Sequence, residues 1–99
     1  MATKSGIKER TNDKLMEPKH YKVIMHNDDF TTMEFVVEVL VSIFHKDQVT
    51  AETLMLDVHK KGMAVVGVYP YDIAYSKVNK AIDMARAEGF PFRMTVEAE

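Results

Sequence analysis

The chain has 99 residues, of which 46% are hydrophobic and 28% are charged, a balance typical of one small globular domain. Lys and Arg number 13 against 15 Asp and Glu, a formal net charge of -2, so a basic nucleic-acid-binding surface is not expected. The chain has no cysteine, which excludes disulfides and thiolate chemistry. No apolar run approaches the roughly 20 residues that span a bilayer, and no signal-peptide pattern follows Met1, so we expect a cytoplasmic protein without membrane contact.

The first structural element is expected near residue 20. Residues 1–18 are charged, have few apolar side chains and end at Pro18, which predicts a flexible N-terminal arm before a domain of residues 19–99. Tyr21, Val23 and Met25 then alternate with their neighbours, and this period of two predicts a strand with one face more strongly buried than the other.

A helix is predicted after this strand. Thr31 followed by Glu34 matches a capping box, and Phe30 with Phe35 matches the spacing of a hydrophobic staple. The helix is therefore expected over residues 32–44. Apart from one polar stripe it is apolar around most of its circumference, which is more apolar surface than one sheet face needs.

Three further elements complete the chain. A second helix is expected after Thr50 as the N-cap, ending at Gly62, and a strand follows over residues 63–69. The clearest helical period in the sequence runs from Pro70, expected in the first turn of a third helix, to Gly89.

The last strand is expected over residues 92–97. The order β-α-α-β-α-β predicts an α+β fold, a small three-stranded antiparallel sheet with three helices on one face.

The polar group with the clearest functional interest lies between the first strand and the first helix and consists of Asn27, Asp28 and Asp29. They suit a turn, and they also suit a cationic guest, since an ammonium needs carboxylate and amide acceptors. A metal site in a small hydrolase would need these carboxylates to converge with His26 and His59, a spacing that matches no known motif. Adjacent acids in extended chain point to opposite sides, so they make a poor catalytic pair.

Three stretches together resemble the ClpS family of adaptors of the ATP-dependent Clp protease. They are YKVIMHNDDFTTMEFVVEVL from Tyr21, the later LMLDVHKKGMAVVGVYPYDIAYSKV, and the closing PFRMTVE. The similarity covers residues 20–97. Thr32 stands where many members have Pro, and the first turn of a helix accepts either residue.

The resemblance implies an adaptor without catalytic residues, metal or other cofactor, which binds the N-terminal residue of degradation substrates. It places the substrate's α-amino group on Asn27, Asp28 and His59. It places the bulky first side chain, typically Leu, Phe, Tyr or Trp, in an apolar pocket. The residues that match this pocket are Thr31, Met33, Val36, Val39, Met55, Val58 and Phe92.

The resemblance also implies a protein partner. This is the N-terminal domain of a Clp-type AAA+ unfoldase of the ClpA or ClpC kind, contacted by Asp72 and Lys77 on or near the third helix. The arm before Tyr21 resembles the N-terminal extension through which the family alters its unfoldase. A monomer is expected.

Overall fold

The computed structural model describes residues 19–99, so the predicted arm over residues 1–18 lies outside the described residues. The three strands form one antiparallel sheet in the order β2-β1-β3. β1 (His20–His26) is the central strand, flanked by β2 (Met63–Pro70) and β3 (Arg93–Ala98).

One face of the sheet carries the core. Met25 lies opposite Ala64 on β2 and Met94 on β3, and Val23 lies two residues further along the same face of β1. Val23, Met25 and Met94 belong to one buried cluster with side chains of all three helices. The pairing of β1 with β2 shifts between Val23 and Ile24, where the strand is irregular.

The helices are α1 (Met33–Ser42), α2 (Gln48–Lys61) and α3 (Tyr71–Glu88). α1 packs against α2, α2 packs against β2, and α3 packs against all three strands. Both α2 and α3 end at a left-handed glycine, Gly62 with φ 90° and Gly89 with φ 79°. The predicted α+β fold, with the order β-α-α-β-α-β and the helices on one face, is confirmed.

The predicted start of α1 is wrong by one residue. Thr32 is the N-cap, and its hydroxyl accepts a hydrogen bond from the Phe35 backbone N–H at 3.1 Å, so the helix begins at Met33. The capping box from Thr31 to Glu34 therefore does not form. The staple is also wrong, because Phe30 is 75% exposed while Phe35 is buried edge-on against Phe90 and Phe92.

The starts of the other two helices also differ from the sequence prediction, by three residues for α2 and by one for α3. α2 begins at Gln48 with Asp47 as the N-cap, so Thr50 lies inside its first turn. Pro70 ends β2 and is the N-cap of α3, one position before the first turn where it was expected. Asp47 and Pro70, which precede the first residues of α2 and α3, have the extended backbone angles that are typical of N-caps.

Candidate functional site

A turn between β1 and α1 carries the polar group singled out in the sequence. The Asn27 backbone N–H donates to the Gly62 carbonyl at 2.9 Å, which extends the pairing beyond β1. This bond joins the end of β1 to the residue that terminates α2. The Asn27 and Asp28 side chains are thereby brought close to His59 in the last turn of α2.

The Asp28 carboxylate organises the turn. Its Oδ1 accepts hydrogen bonds from the backbone N–H groups of Phe30 at 2.8 Å and Thr31 at 2.7 Å, and its Oδ2 accepts from the Thr31 hydroxyl at 2.7 Å. Partial burial acts to raise the pKa of Asp28. The hydrogen bonds from Thr31 and Phe30 act in the opposite direction and together outweigh it, so the pKa lies below its ordinary value. The group is thus a fixed anion, and Oδ2 keeps room for a second donor.

A cavity of about 570 Å³, which we call the loop cavity, opens beside this turn. At its polar end the acceptors Asn27, Asp28 and His59 line the same space. Among the side-chain hydrogen bonds of residues 19–99, none involves Asn27 or His59, so both keep their capacity for a guest. The rest of the predicted residues that line it are Thr31, Met33, Val36, Met55 and Val58.

Two predicted pocket residues do not line the loop cavity. Val39 is 0% exposed, and Phe92 is 7% exposed and lies edge-on to Phe35 with their ring centroids 5.6 Å apart. Both belong to the buried core cluster, Val39 as a side chain of α1. The same cluster contains Val36 and Val58, which do line the cavity.

The loop cavity is also lined by four residues that the sequence did not place there, namely Asp29, Phe30, Thr32 and Glu34. Phe30 was assigned to the helix staple. The signal for its position was the spacing from Asp28 to Thr31, which permits the carboxylate to cap the turn and direct residue 30 outward.

His26 lies apart from these residues. Its Nε2 is 2.8 Å from the Thr95 hydroxyl on β3, so the ring lies along the sheet. Burial and the nearby Arg93 lower the pKa of His26, while Glu97 opposes them. Within residues 19–99 no three His, Asp or Glu side chains form a group that could hold a metal ion. The ligand set of the hydrolase alternative is therefore not assembled in this part of the chain.

Asp72 and Lys77 lie in another depression, of about 440 Å³, that shares no residue with the loop cavity. Asp72 is exposed in the first turn of α3. The Lys77 ammonium donates to the Ile43 carbonyl at the end of α1 at 2.7 Å, and it lies 5.8 Å and 5.6 Å from the ring centroids of Phe44 and Tyr69. Lys77 thus has an internal structural role.

The fold and site define a small α+β domain in which hydrogen-bond acceptors and apolar side chains line one open cavity. The family model described as ATP-dependent Clp protease adaptor protein ClpS matches residues 16–95. The chain belongs to the ClpS family. It is a Clp protease adaptor and not an enzyme, and it has a Clp partner.

Similar proteins cover the chain in full or nearly so. The ATP-dependent Clp protease adapter protein ClpS of Acetivibrio thermocellus is 50% identical over 99 residues, which is 100% of each chain. That of Clostridium acetobutylicum is 45% identical over 98 residues, 97% of each chain.

A solved structure shares the fold. Agrobacterium tumefaciens ClpS2 bound to L-phenylalaninamide matches with a TM-score of 0.81 and 42% identity, covering 84% of this chain and 100% of that one. Among residues 19–99, no helix is long and apolar enough to cross a membrane.

Proposed function

We propose that this adaptor recognises N-degrons: it binds the free α-amino group and the bulky hydrophobic first residue of a substrate and delivers that substrate to a Clp AAA+ unfoldase. The observation that carries the proposal is the convergence of Asn27, Asp28 and His59 in one cavity that also has apolar side chains in its wall. The binding of L-phenylalaninamide by the similar ClpS2 supports it, since that ligand has a free α-amine and an aromatic side chain.

The acceptors match the chemistry of a primary ammonium. An ammonium has three donors and no acceptor, so it needs acceptor atoms on several sides. Asp28 supplies the countercharge through Oδ2, the Asn27 side-chain carbonyl supplies a neutral acceptor, and an unprotonated ring nitrogen of His59 supplies a third. Thr31 holds the carboxylate in place, because its hydroxyl and its backbone N–H both donate to Asp28.

The apolar wall suits the first side chain. Val36 and Val58 are buried, and Met33 and Met55 bring flexible thioethers to the same cavity. Leu, Phe, Tyr and Trp fill such a pocket, with Val39 and Phe92 packed behind the wall. Met33 is 44% exposed, which is consistent with a position at the rim.

Delivery requires a second surface for the unfoldase N-terminal domain. We assign it to the side of α3 that carries Asp72 and Lys77, on the separate depression, so that substrate and partner do not compete for one site. The adaptor acts as a cytoplasmic monomer. The arm before residue 19 serves as the extension that modulates the unfoldase.

The test is binding to fluorescent peptides that differ only in their first residue. Peptides beginning with Leu, Phe, Tyr or Trp should bind, while those beginning with Ala or Gly should bind at least about a hundredfold more weakly, the range that loss of a buried aromatic side chain produces. Acetylation of the Phe peptide should abolish binding. Equal affinity for free and acetylated peptides would disprove the assignment of the acceptor group.

A further inference from the structure

The methionines of residues 19–99 differ widely in how far solvent reaches their thioethers. Met25 and Met94 are buried in the core. Two others are partly buried and pack against the core cluster, namely Met55 and Met84. Met33 and Met63 are open to solvent, with 44% and 51% of each residue exposed. A reagent that attacks sulfur therefore reaches Met33 and Met63 first.

Among the methionines of the described chain, Met33 alone combines an open thioether with a place in the candidate site. It is the first residue of α1 and lines the loop cavity. Met63 begins β2 and does not line that cavity, while Met55 lines it but is partly buried. None of the side-chain hydrogen bonds within residues 19–99 involves a methionine sulfur. A change at the Met33 sulfur therefore alters the cavity wall without breaking a side-chain hydrogen bond of this part of the chain.

Peroxides oxidise a thioether by transferring one oxygen atom to it. A lone pair on sulfur attacks one oxygen of hydrogen peroxide, the O–O bond breaks, and the other oxygen leaves as water after a proton transfer. Sulfur loses two electrons, the peroxide gains them, and the product is a sulfoxide. The sulfoxide is polar, and methionine sulfoxide reductases return it to the thioether.

A sulfoxide at residue 33 changes the chemistry of the cavity wall. Val36, Val58 and Met55 line the same cavity with apolar side chains. An apolar first residue that packs on this wall removes water from the sulfoxide oxygen and offers it no donor in return. An acceptor left unpaired in this way opposes binding.

We propose that Met33 is a site of reversible oxidation by peroxides, and that its sulfoxide weakens the binding of substrates that begin with a bulky apolar residue. The inference rests on the proposed function, because it concerns the pocket for the first side chain. Oxidation at this sulfur leaves the amine acceptors Asn27, Asp28 and His59 chemically unchanged. The adaptor thereby loses affinity for its substrates in the presence of peroxide and regains it when the sulfoxide is reduced.

The experiment treats the folded full-length protein with hydrogen peroxide and follows two quantities. Peptide mapping by mass spectrometry gives the oxidised fraction of each methionine over time, and fluorescence anisotropy gives the affinity for a Phe-starting peptide. Met33 and Met63 should be oxidised before Met25 and Met94. Complete oxidation of Met33 should weaken peptide binding at least about fivefold, the scale of one buried acceptor left without a donor. A mixture of the two stereospecific methionine sulfoxide reductases should restore the affinity.

Three variants, each compared with itself before and after peroxide, locate the effect. Met33→Leu has a side chain of similar volume without sulfur, so peroxide should not change its affinity. Met63→Leu removes the other open thioether, which lies outside the loop cavity, and should respond to peroxide as the wild type does. Met55→Leu should also keep the response, which separates Met33 from the other methionine of the cavity wall. Circular dichroism after treatment checks that each protein stays folded.

The outcomes separate this inference from the proposed function. Suppose that the untreated wild type binds the peptide, but complete oxidation of Met33 leaves the affinity unchanged or Met33→Leu loses as much affinity as the wild type. Met33 is then not the switch, and the proposed function stands alone. The same conclusion holds if Met33 resists peroxide while Met63 is oxidised. If the untreated wild type binds neither the peptide nor phenylalaninamide, both proposals fall.

Discussion

Asp28 combines a structural and an electrostatic role in one carboxylate. Three hydrogen bonds from Phe30 and Thr31 hold it, and they keep its pKa below its ordinary value even though burial acts in the other direction. Its stabilising contribution is therefore complete above the unfolded-state pKa and is lost only as the pH falls through the lower folded-state pKa. Because Asp28 stays ionised in mild acid, weakening of substrate binding there would have to come from another group.

The two roles of Asp28 can be separated by substitution. Asp28→Asn keeps an acceptor for the Phe30 and Thr31 backbone N–H groups but removes the charge. We expect it to fold normally and to bind a Phe-starting peptide about tenfold or more weakly, as loss of a charge-assisted hydrogen bond predicts. Asp28→Ala should also lower thermal stability, because the turn donors lose their acceptor.

Asp29→Asn is the matched control for this charge change. Asp29 lines the same cavity, is exposed, and accepts none of the side-chain hydrogen bonds within residues 19–99. Fluorescence anisotropy should show a much smaller loss for it. Equal losses for the two variants would mean that only the general negative potential attracts the peptide, and that Asp28 makes no specific contact.

Met33 is a second residue whose exposure decides its role. At 44% exposure it lines the loop cavity and is not a core side chain. At the pocket rim it would exclude first residues that branch at Cβ. Met33→Ala should then gain binding to Ile and Val peptides, because specificity there rests on a clash, and should cost less than about 1 kcal/mol of stability.

Val41→Ala provides the comparison for Met33, since Val41 is partly exposed on the same helix and does not line the loop cavity. It should leave the ranking of first residues unchanged. A Met33→Ala protein that binds Ile and Val peptides no better than the wild type, measured in the same anisotropy series, would remove Met33 from the specificity determinants.

At the scale of elements, the sequence predicted which helices and strands exist better than where they begin. Gly62 and Gly89 end helices as expected, because a left-handed residue after a helix strongly favours glycine. Thr31 and Thr32 are chemically equal candidates for the N-cap of α1. The choice of Thr32 follows from Asp28, which already binds both the backbone N–H and the hydroxyl of Thr31. A local cap pattern cannot anticipate that competition.

The end of α1 shows how one element stabilises another. The Lys77 ammonium from α3 donates to the Ile43 carbonyl and lies near the rings of Phe44 and Tyr69. A cation there also interacts favourably with the negative end of the α1 dipole. Lys77→Met keeps the aliphatic stem and removes the charge. We expect the free energy of unfolding to fall by about 1–2 kcal/mol, which lowers the melting temperature by roughly 4–15 °C for a domain of this size.

Lys80→Met is the control for Lys77→Met, because Lys80 is exposed on the same helix and lines the same depression. The free energy of unfolding of the Lys80→Met variant, measured by thermal unfolding, should stay within about 0.5 kcal/mol of the wild-type value. Should both variants melt like the wild type, the contact with Ile43 contributes nothing measurable. Any loss of unfoldase binding by Lys77→Met would then report a direct contact with the partner.

At the scale of the whole molecule, the site depends on contacts that no local pattern contains. Asn27 and Asp28 precede α1, whereas His59 lies in the last turn of α2 more than thirty residues later. The hydrogen bond from Asn27 to Gly62 brings these segments together. The residues alone left a turn, a metal site and a cation site open for the two acids. The family resemblance assigned His59 to the same site as Asn27 and Asp28. In the folded chain all three side chains line one cavity.

Because the loop cavity is assembled only in the folded chain, its ligand should stabilise the whole domain. The acceptors come from the β1–α1 turn and from α2, which separate when the chain unfolds. A ligand that binds only the folded state adds about 2.7 kcal/mol of stability at a hundredfold excess over its Kd. Phenylalaninamide at that excess should therefore raise the melting temperature by roughly 10–20 °C in a thermal-shift assay.

N-acetyl-phenylalaninamide is the matched control for this stabilisation, because it keeps the aromatic ring and the amide but has no charge on its nitrogen. Without the ammonium it offers Asp28 only a single neutral donor and leaves the carboxylate without countercharge. At the same concentration it should shift the transition by less than about 2 °C, as expected when the ligand stays below its Kd. Asp28→Asn should shrink the response to phenylalaninamide and leave that to the acetylated compound unchanged. If both compounds stabilised the wild type equally, the ring alone would carry the binding, and the loop cavity would be an apolar pocket that does not read a free amino terminus.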